Sequence, residues 1–461
     1  MATTYLTKAI SSAGSRTKAT LSLWVKRGSG FGNDQRWFSY ENTSVANNVT
    51  VFKFAGNSIQ FADQTGGSNN ARYDGTRVLK DASAWYHFVA KMDTTQSTNT
   101  DRLKIYINGE LQSEGSYTYP TQDSDLNIGH NSNAYIDIGR WRSSDNQYFD
   151  GNIAHYHYCD GYAYDASSFG ETDSTSGIWV AKTSPSVSYG TNGYFLKFQD
   201  TSAFGDDSSG NNNDYTVSGT MTQTKDTPDN NFCTWNPLSR DHNETYTFQN
   251  GNTICLIPSA GGWSGTNGTL SAGAGKWYCE GKINYTPGAY NTTFGFTSTK
   301  LANQKGVYGQ IGYGDKGSSV LGWGVSIGIY DTGTLLYSTE GAKEQSTASW
   351  AAAWASGDIL MFAVDIDNGK FYFGKNGTWD STSSSNPTAG TGGASFLPSG
   401  LLYTPVTTVY REKLQMNFGN GYFETTAVTS AEADGDGYGA FEYAPPTGYY
   451  ALCTQNIKNY G

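Results

Sequence analysis

The sequence predicts an all-β protein built as two separately cored sandwiches in tandem. Three observations carry this. The first is composition: 56 glycines in 461 residues, against a usual share of about 7%, with 33 tyrosines, 22 phenylalanines, 12 tryptophans and only 15% charged residues. Such a chain is rich in turns and has ample aromatic surface to bury, which argues against disorder. It lacks the excess of Ala, Leu, Glu and Lys that a helical bundle needs. The second is alternation: apolar residues recur at every other position, the period of a half-buried strand. The third is a strand–turn–strand pattern that occurs twice, about 270 residues apart, too far for one core of usual domain size.

Along the chain, Thr20-Leu21-Ser22-Leu23-Trp24-Val25 opens one strand and Trp85-Tyr86-His87-Phe88-Val89-Ala90 another. Leu103-Lys104-Ile105-Tyr106-Ile107 runs into Asn108-Gly109, a pair that supplies the positive φ angles of a tight hairpin. Asp74-Gly75, Asp150-Gly151, Asn250-Gly251, Asn368-Gly369 and Asn376-Gly377 are read as further tight turns. Residues 85–110 and 358–377 share one design, a central hairpin whose Asn-Gly tip turns back into another strand. Helical periodicity is limited to single turns at 166–169 and 350–354. Cys233-Thr234-Trp235-Asn236 and Cys453-Thr454-Gln455-Asn456 echo each other and are read as the strand that finishes each unit. The expected division is a first sandwich over 1–221, a linker over 222–235 and a second sandwich over 236–461.

Thirty basic against 41 acidic residues leave a net charge of −11. That argues against a nucleic-acid partner, which calls for clustered Lys and Arg. No run of 18 apolar residues exists, so no membrane insertion by a helix is expected. The first 15 residues lack a secretory signal, so exit from a cell would go by lysis or by assembly into a particle. The five cysteines are an odd, widely spaced set without Cys-x-x-Cys. They read as buried reduced thiols of a chain folded in a reducing cytoplasm, with no zinc site.

The first unit resembles the laminin-G-like, concanavalin A-type lectin family. The matching pieces are residues 21–27, 85–89, 103–109, Phe149-Asp150-Gly151-Asn152-Ile153-Ala154 and the segment 193–216. The second unit resembles a SPRY domain, another concanavalin-like sandwich. It does so through Gly275-Lys276-Trp277-Tyr278-Cys279-Glu280, Phe294-Gly295-Phe296, residues 357–359 and 364–370, and Phe373-Gly374-Lys375-Asn376-Gly377. The string Tyr443-Ala444-Pro445-Pro446-Thr447-Gly448-Tyr449 and the Cys-Thr-x-Asn echoes resemble structural proteins of marine-type bacteriophages that join these two modules. The resemblance implies a virion setting.

Concanavalin-type folds also serve glycoside hydrolases, so catalysis is weighed first. Retaining cleavage needs two carboxylates about 5–5.5 Å apart, at i and i+2 or i+4 on a strand. The Glu-x-Asp-x-Glu string of related glucanases does not occur. Asp365 and Asp367 have the spacing, but they end at Asn368-Gly369 and read as turn chemistry. Asp123 and Asp125 lie in a polar stretch. Acids placed on separate elements, as in inverting enzymes, stay open. His155 and His157 share a strand face by alternation and could bind a metal or join a triad, or form an ordinary strand face. No Gly-x-Ser-x-Gly elbow supports a triad.

Laminin-G-like modules often hold calcium in loop oxygens, and Asp206, Asp207 and Asp214 crowd one loop. They are the candidate calcium ligands, with solvated turns as the alternative. Sugar recognition pairs an aromatic face with polar side chains that reach hydroxyls. Arg140, Trp141, Arg142 and Tyr148 form one such set, and Trp263 with Asn267 another. The expectation is a non-enzymatic bacteriophage virion protein, on a tail fibre, spike or decoration, that recognises host-surface glycans. It would be folded in the host cytoplasm, attached to other virion proteins, and assembled as a homotrimer. The alternatives are a purely structural spacer and, against the carboxylate evidence, a polysaccharide depolymerase.

Overall fold

The computed structural model describes residues 3–174, 176–240, 247–256, 264–284, 291–298, 325–338, 345–395, 397–410 and 413–461. The chain divides into two compact units, Met1–Gln223 and Thr224–Gly461.

Among the described residues, the first unit stacks an eight-stranded sheet on a six-stranded one. The larger runs Ser116–Thr118, Ser68–Asp74, Ser58–Thr65, Val49–Ala55, Gln35–Asn42, Ala134–Ile138, Tyr5–Ile10, Thr216–Ser218. The smaller runs Tyr194–Leu196, Gly151–Asp160, Lys18–Arg27, Trp85–Asp93, Leu103–Ile107, Glu110–Leu111. Alternation does what the sequence requires: Leu21, Leu23 and Val25 face the shared core while Ser22 and Trp24 face outward. Two bulges adjust it. Between Arg36 and Phe38 the register slips against Val49–Ala55, which lets both Trp37 and Phe38 enter the core and leaves Arg36 outside. Trp37 then stacks on Phe88 at 4.5 Å and meets Phe54 edge-on at 4.5 Å. A second slip lies between Ala154 and His157.

The second unit repeats the plan. One sheet runs Trp235–Arg240, Ser264–Gly268, Tyr403–Tyr410, Asn291–Ser298, Ser326–Tyr330, Leu335–Ser338, Gln345–Thr347. The other has the path Thr247–Gln249, Ile254–Leu256, Lys413–Asn417, Lys276–Ile283, Ile359–Asp365, Lys370–Lys375, Thr378–Trp379, with Ala394–Ser395 and Tyr450–Ala451 joining it from the side. Phe294 against Phe362 at 4.2 Å and Trp235 against Phe418 at 5.2 Å mark its core.

The repeated hairpin is present in both units with the same bonds. Asn108 (φ 48°) and Gly109 (φ 81°) make the tip in the first, Asn376 (φ 50°) and Gly377 (φ 80°) in the second. Asn108 exchanges hydrogen bonds with the backbone of His87, its N–H donating to the carbonyl and its Oδ1 accepting from the N–H, each at 2.8 Å. Asn376 does the same with Ile359, at 2.8 and 2.9 Å. In both units an aromatic ring from a covering segment lies on the tip glycine, Trp179 on Gly109 and Tyr443 on Gly377. The outer faces of the two central hairpins are thus covered by chain.

Four expectations change. The Cys-Thr echoes do not finish separate units: Phe232 bridges Cys453 and Cys233 N–H donates to the Leu452 carbonyl at 2.9 Å, both within the second unit. Cys453 caps the helix Thr454–Tyr460, which alternation did not reveal. The stretch 222–235 is not all connector, since Phe232, Cys233 and Trp235 are buried in the second unit. The turn at 350–354 is not helical, whereas Ala166–Ser168 is a 3-10 turn. Neither Asp74-Gly75 nor Asp150-Gly151 is a hairpin tip: Gly75 continues the ladder by donating to the Ile59 carbonyl at 2.9 Å, and Gly151 opens the strand Gly151–Asp160, paired with Arg27. All five cysteines are buried. Burial pushes the Cys159, Cys255 and Cys279 thiols up and Cys453 to about 11.

Candidate functional site

The outer face of the eight-stranded sheet carries the candidate site. Residues 139–149 leave Ala134–Ile138 at Gly139 (φ 94°) and fold back as a closed loop. Trp141 N–H donates to the Asn146 carbonyl at 2.8 Å, and Phe149 N–H to the Gly139 carbonyl at 3.0 Å. Two buried carboxylates peg the loop to the sheet. Glu41, 3% exposed, accepts from the N–H of Arg142 at 3.0 Å and of Ser143 at 3.1 Å. Asp137, 1% exposed, accepts from Arg140 Nε at 3.0 Å and Arg142 Nη2 at 2.8 Å. Breaking either peg would strand a desolvated charge, which is far costlier than losing a surface pair.

Three guanidinium groups lie flat on three rings. Arg36 stands 4.1 Å from the ring centre of Trp141, Arg140 3.5 Å from Tyr5, and Arg142 4.0 Å from Tyr135. A cation over the face of a ring is held by its quadrupole, more strongly where water is excluded. Burial lowers the Arg36 pKa to about 10, so it stays a cation at neutral pH. Tyr148 completes the strip, 6.4 Å from Tyr5, with its hydroxyl donating to Asp145 at 2.6 Å. All four rings are half-buried. One face of Tyr5, Trp141 and Tyr135 is stacked, and each residue keeps part of its surface open to solvent.

The structure brings Arg140, Trp141, Arg142 and Tyr148 together, in unequal roles. The arginines are braces and the rings form the surface. Sequence reasoning missed Tyr5, Tyr135 and Arg36. The available signal was their outward parity: Tyr135 and Asp137 alternate with core Ala134, Ile136 and Ile138, and Tyr5 precedes core Leu6. The second set fares differently. Trp263 lies outside the described residues. Asn267 is corrected: it sits within Ser264–Gly268, is 3% exposed, and donates its amide to Ser239 at 3.1 Å. Pairing with Tyr403–Tyr410 holds it in the sheet, away from solvent.

Asp206, Asp207 and Asp214 also differ from one another. Asp207 accepts from the N–H groups of Phe195 (2.9 Å), Ser209 (2.8 Å) and Asn213 (2.9 Å) and from the Ser209 hydroxyl (2.7 Å). Asp214 accepts from Asp207 N–H at 2.9 Å, and Asp206 is exposed. Both engaged carboxylates fold their own loop. Among the described residues no three His, Cys, Asp or Glu side chains gather as a metal-holding group.

The other acids and histidines have local duties. Asp365, 1% exposed, caps the turn by accepting from Asn368 N–H (3.0 Å) and Nδ2 (2.9 Å), and pairs with Lys276 at 3.2 Å. Asp367 accepts from Gly275 N–H at 2.9 Å. Asp125 pairs with Arg16 at 2.9 Å. The bulge after Ala154 places His155 at φ 45°, yet its ring stays on the side of His157, stacked on Phe195 at 6.3 Å. His157 is buried, stacked on Phe195 at 4.0 Å, with Nδ1 bonded to the Tyr189 hydroxyl at 3.0 Å.

The fold and the ring strip together define a concanavalin A-like β-sandwich module. A family described as the concanavalin A-like lectin/glucanases superfamily matches residues 2–161, the part of the first unit that contains the strip. No curated protein matches the chain. Among solved structures, the chain is similar to the SPRY domain of human HERC1, at 13% identity over 40% of this chain and 96% of that one, TM-score 0.28. It is also similar to a heptameric SAP-like pentraxin from Limulus polyphemus, at 12% identity over 39% and 86%, TM-score 0.29. Domains LG4-5 of the mouse laminin alpha1 chain align at 8% identity over 92% and 89%, TM-score 0.30. No helix among the described residues is long and apolar enough to cross a membrane.

Proposed function

We propose that the protein is a non-catalytic recognition protein that binds surface glycans through the strip of Tyr5, Trp141, Tyr135 and Tyr148. One observation carries the reading: rings left half-open on the outer face of a sheet are fixed by guanidinium groups that are themselves anchored on buried Asp137 and Glu41. A pre-positioned ring loses little freedom when it meets the C–H face of a sugar, which is where affinity is gained. Attachment to a bacteriophage particle, with other virion proteins as neighbours, is proposed from the sequence resemblance. There, many copies would raise a weak single-site affinity by avidity.

A glycan array probed with the full chain tests this. Binding is expected, and Trp141→Ala and Tyr148→Ala should each weaken it about tenfold, or ~1.4 kcal/mol. An array without binding, from protein that stays tightly held in purified particles, would favour the spacer reading. The covered hairpin faces at Gly109 and Gly377 are the feature in its favour. Shortening of a host polysaccharide on incubation would establish the depolymerase instead.

A further inference from the structure

We infer that the strip takes neutral sugars and discriminates against acidic polysaccharide, a step that rests on the recognition reading above. The charges around the rings cancel. Four cations, Arg36, Lys53, Arg140 and Arg142, face four carboxylates, Glu41, Asp34, Asp137 and Asp145, in direct pairs. Recognition of a sulfate or carboxylate by arginine depends on a fork of two free N–H groups. Here each guanidinium already donates to side chains of its own site, and Arg142 Nε, left without a partner, is buried away from solvent. Arg36 donates Nε to Gln147 Oε1 at 2.8 Å and Nη1 to Ser39 Oγ at 2.9 Å. Arg140 donates Nε to Asp137 and Nη1 to Asp145 at 3.1 Å. Arg142 donates Nη2 to Asp137 and to the Thr7 hydroxyl. One planar face of each is covered as well, by a ring. An acidic ligand would thus meet a carboxylate already paired with each guanidinium, within a chain of net charge −11. A neutral sugar would meet ring faces and the polar loop edge at Asn146 and Asp145, both exposed.

The test compares matched probes, dextran against dextran sulfate and a neutral galactan against its sulfated form, on the full chain at about 50 and 500 mM salt. The expected result is binding of a neutral member, with affinity changing less than about twofold across that range. Asp145→Asn, which removes a carboxylate charge and leaves one positive charge in excess, should create salt-sensitive binding of the sulfated probe. Tighter binding of a sulfated member by the unaltered chain, lost at high salt, would overturn the inference and leave glycan recognition standing. Binding of sulfated probe equal in the unaltered and Asp145→Asn chains would overturn it too. Failure of every probe, together with an empty array, would take down the recognition reading itself.

Discussion

Ser22 Oγ and His87 Nε2 lie 2.9 Å apart, the spacing of a nucleophile and its base, and a third residue decides what they are. Trp179 Nε1–H donates to His87 Nδ1 at 3.0 Å. An indole can only donate, so Nδ1 carries a lone pair and the neutral ring bears its proton on Nε2. That proton points at Ser22, which therefore accepts a hydrogen bond and has no base to activate it. Burial, with His155 nearby, lowers the His87 pKa to about 3, and Trp24 stacks on it at 4.9 Å. The neutral form is the folded form, so its contribution to stability is complete above the unfolded value of about 6.5. It declines by ~1.4 kcal/mol per pH unit as pH falls toward 3. The His87 ring resonances should stay fixed from pH 8 to pH 5 in an NMR titration; movement with a midpoint near 6.5 would contradict this geometry. None of it was legible in the sequence, where His87 was one residue of an alternating run. The covering residue Trp179 comes from a stretch without periodicity, and only the tertiary fold brings it over the hairpin.

Individual strands were far more legible than their covers. Leu103–Ile107 and Ile359–Asp365 follow directly from alternation bounded by turn residues. The helix Thr454–Tyr460 did not, because seven residues carry little helical period and its cap is a cysteine. The two Asn-Gly tips allow a comparison between elements. Gly109 and Gly377 share a φ near 80°, where any other residue is strained by about 1–3 kcal/mol. They differ in what lies above. A Cβ on Gly109 would stand 2.7 Å from the Trp179 ring, and that ring cannot retreat, since a Cβ on Gly170 would be 2.6 Å from it. A Cβ on Gly377 would stand 3.0 Å from Tyr443, which is only half-buried. Gly109→Ala should therefore destabilise the first unit by more than Gly377→Ala destabilises the second, as read from denaturant midpoints of the full chain. Equal losses would show that backbone strain alone sets the cost.

At the scale of the molecule, one buried residue in each unit adds a pH slope, and the two slopes have opposite signs. In the second, Glu280 is fully buried and accepts from the N–H groups of Glu442 and Tyr443 at 2.8 Å and from the Tyr278 hydroxyl at 2.9 Å. Burial raises its pKa to about 7, against those hydrogen bonds. Its contribution is complete below the unfolded value of about 4.5 and is lost as pH rises through about 7, up to ~3 kcal/mol. In calorimetry of the full chain, His87 should add weakening on acidification to one transition and Glu280 weakening on alkalinisation to the other. Glu280→Gln should remove the alkaline slope while lowering that transition throughout, because an amide cannot accept from three donors. Two units were foreseeable from the doubled hairpin, whereas this opposition was not, since it depends on which acid is desolvated. The bridge between Phe232 and Cys453 has a consequence for biosynthesis. A ribosome releases Phe232 and Trp235 long before residues 450–460 exist to cover them. Closure of the second sandwich then waits for residues 450–460, and apolar surface stands in the open while most of that unit is still being made.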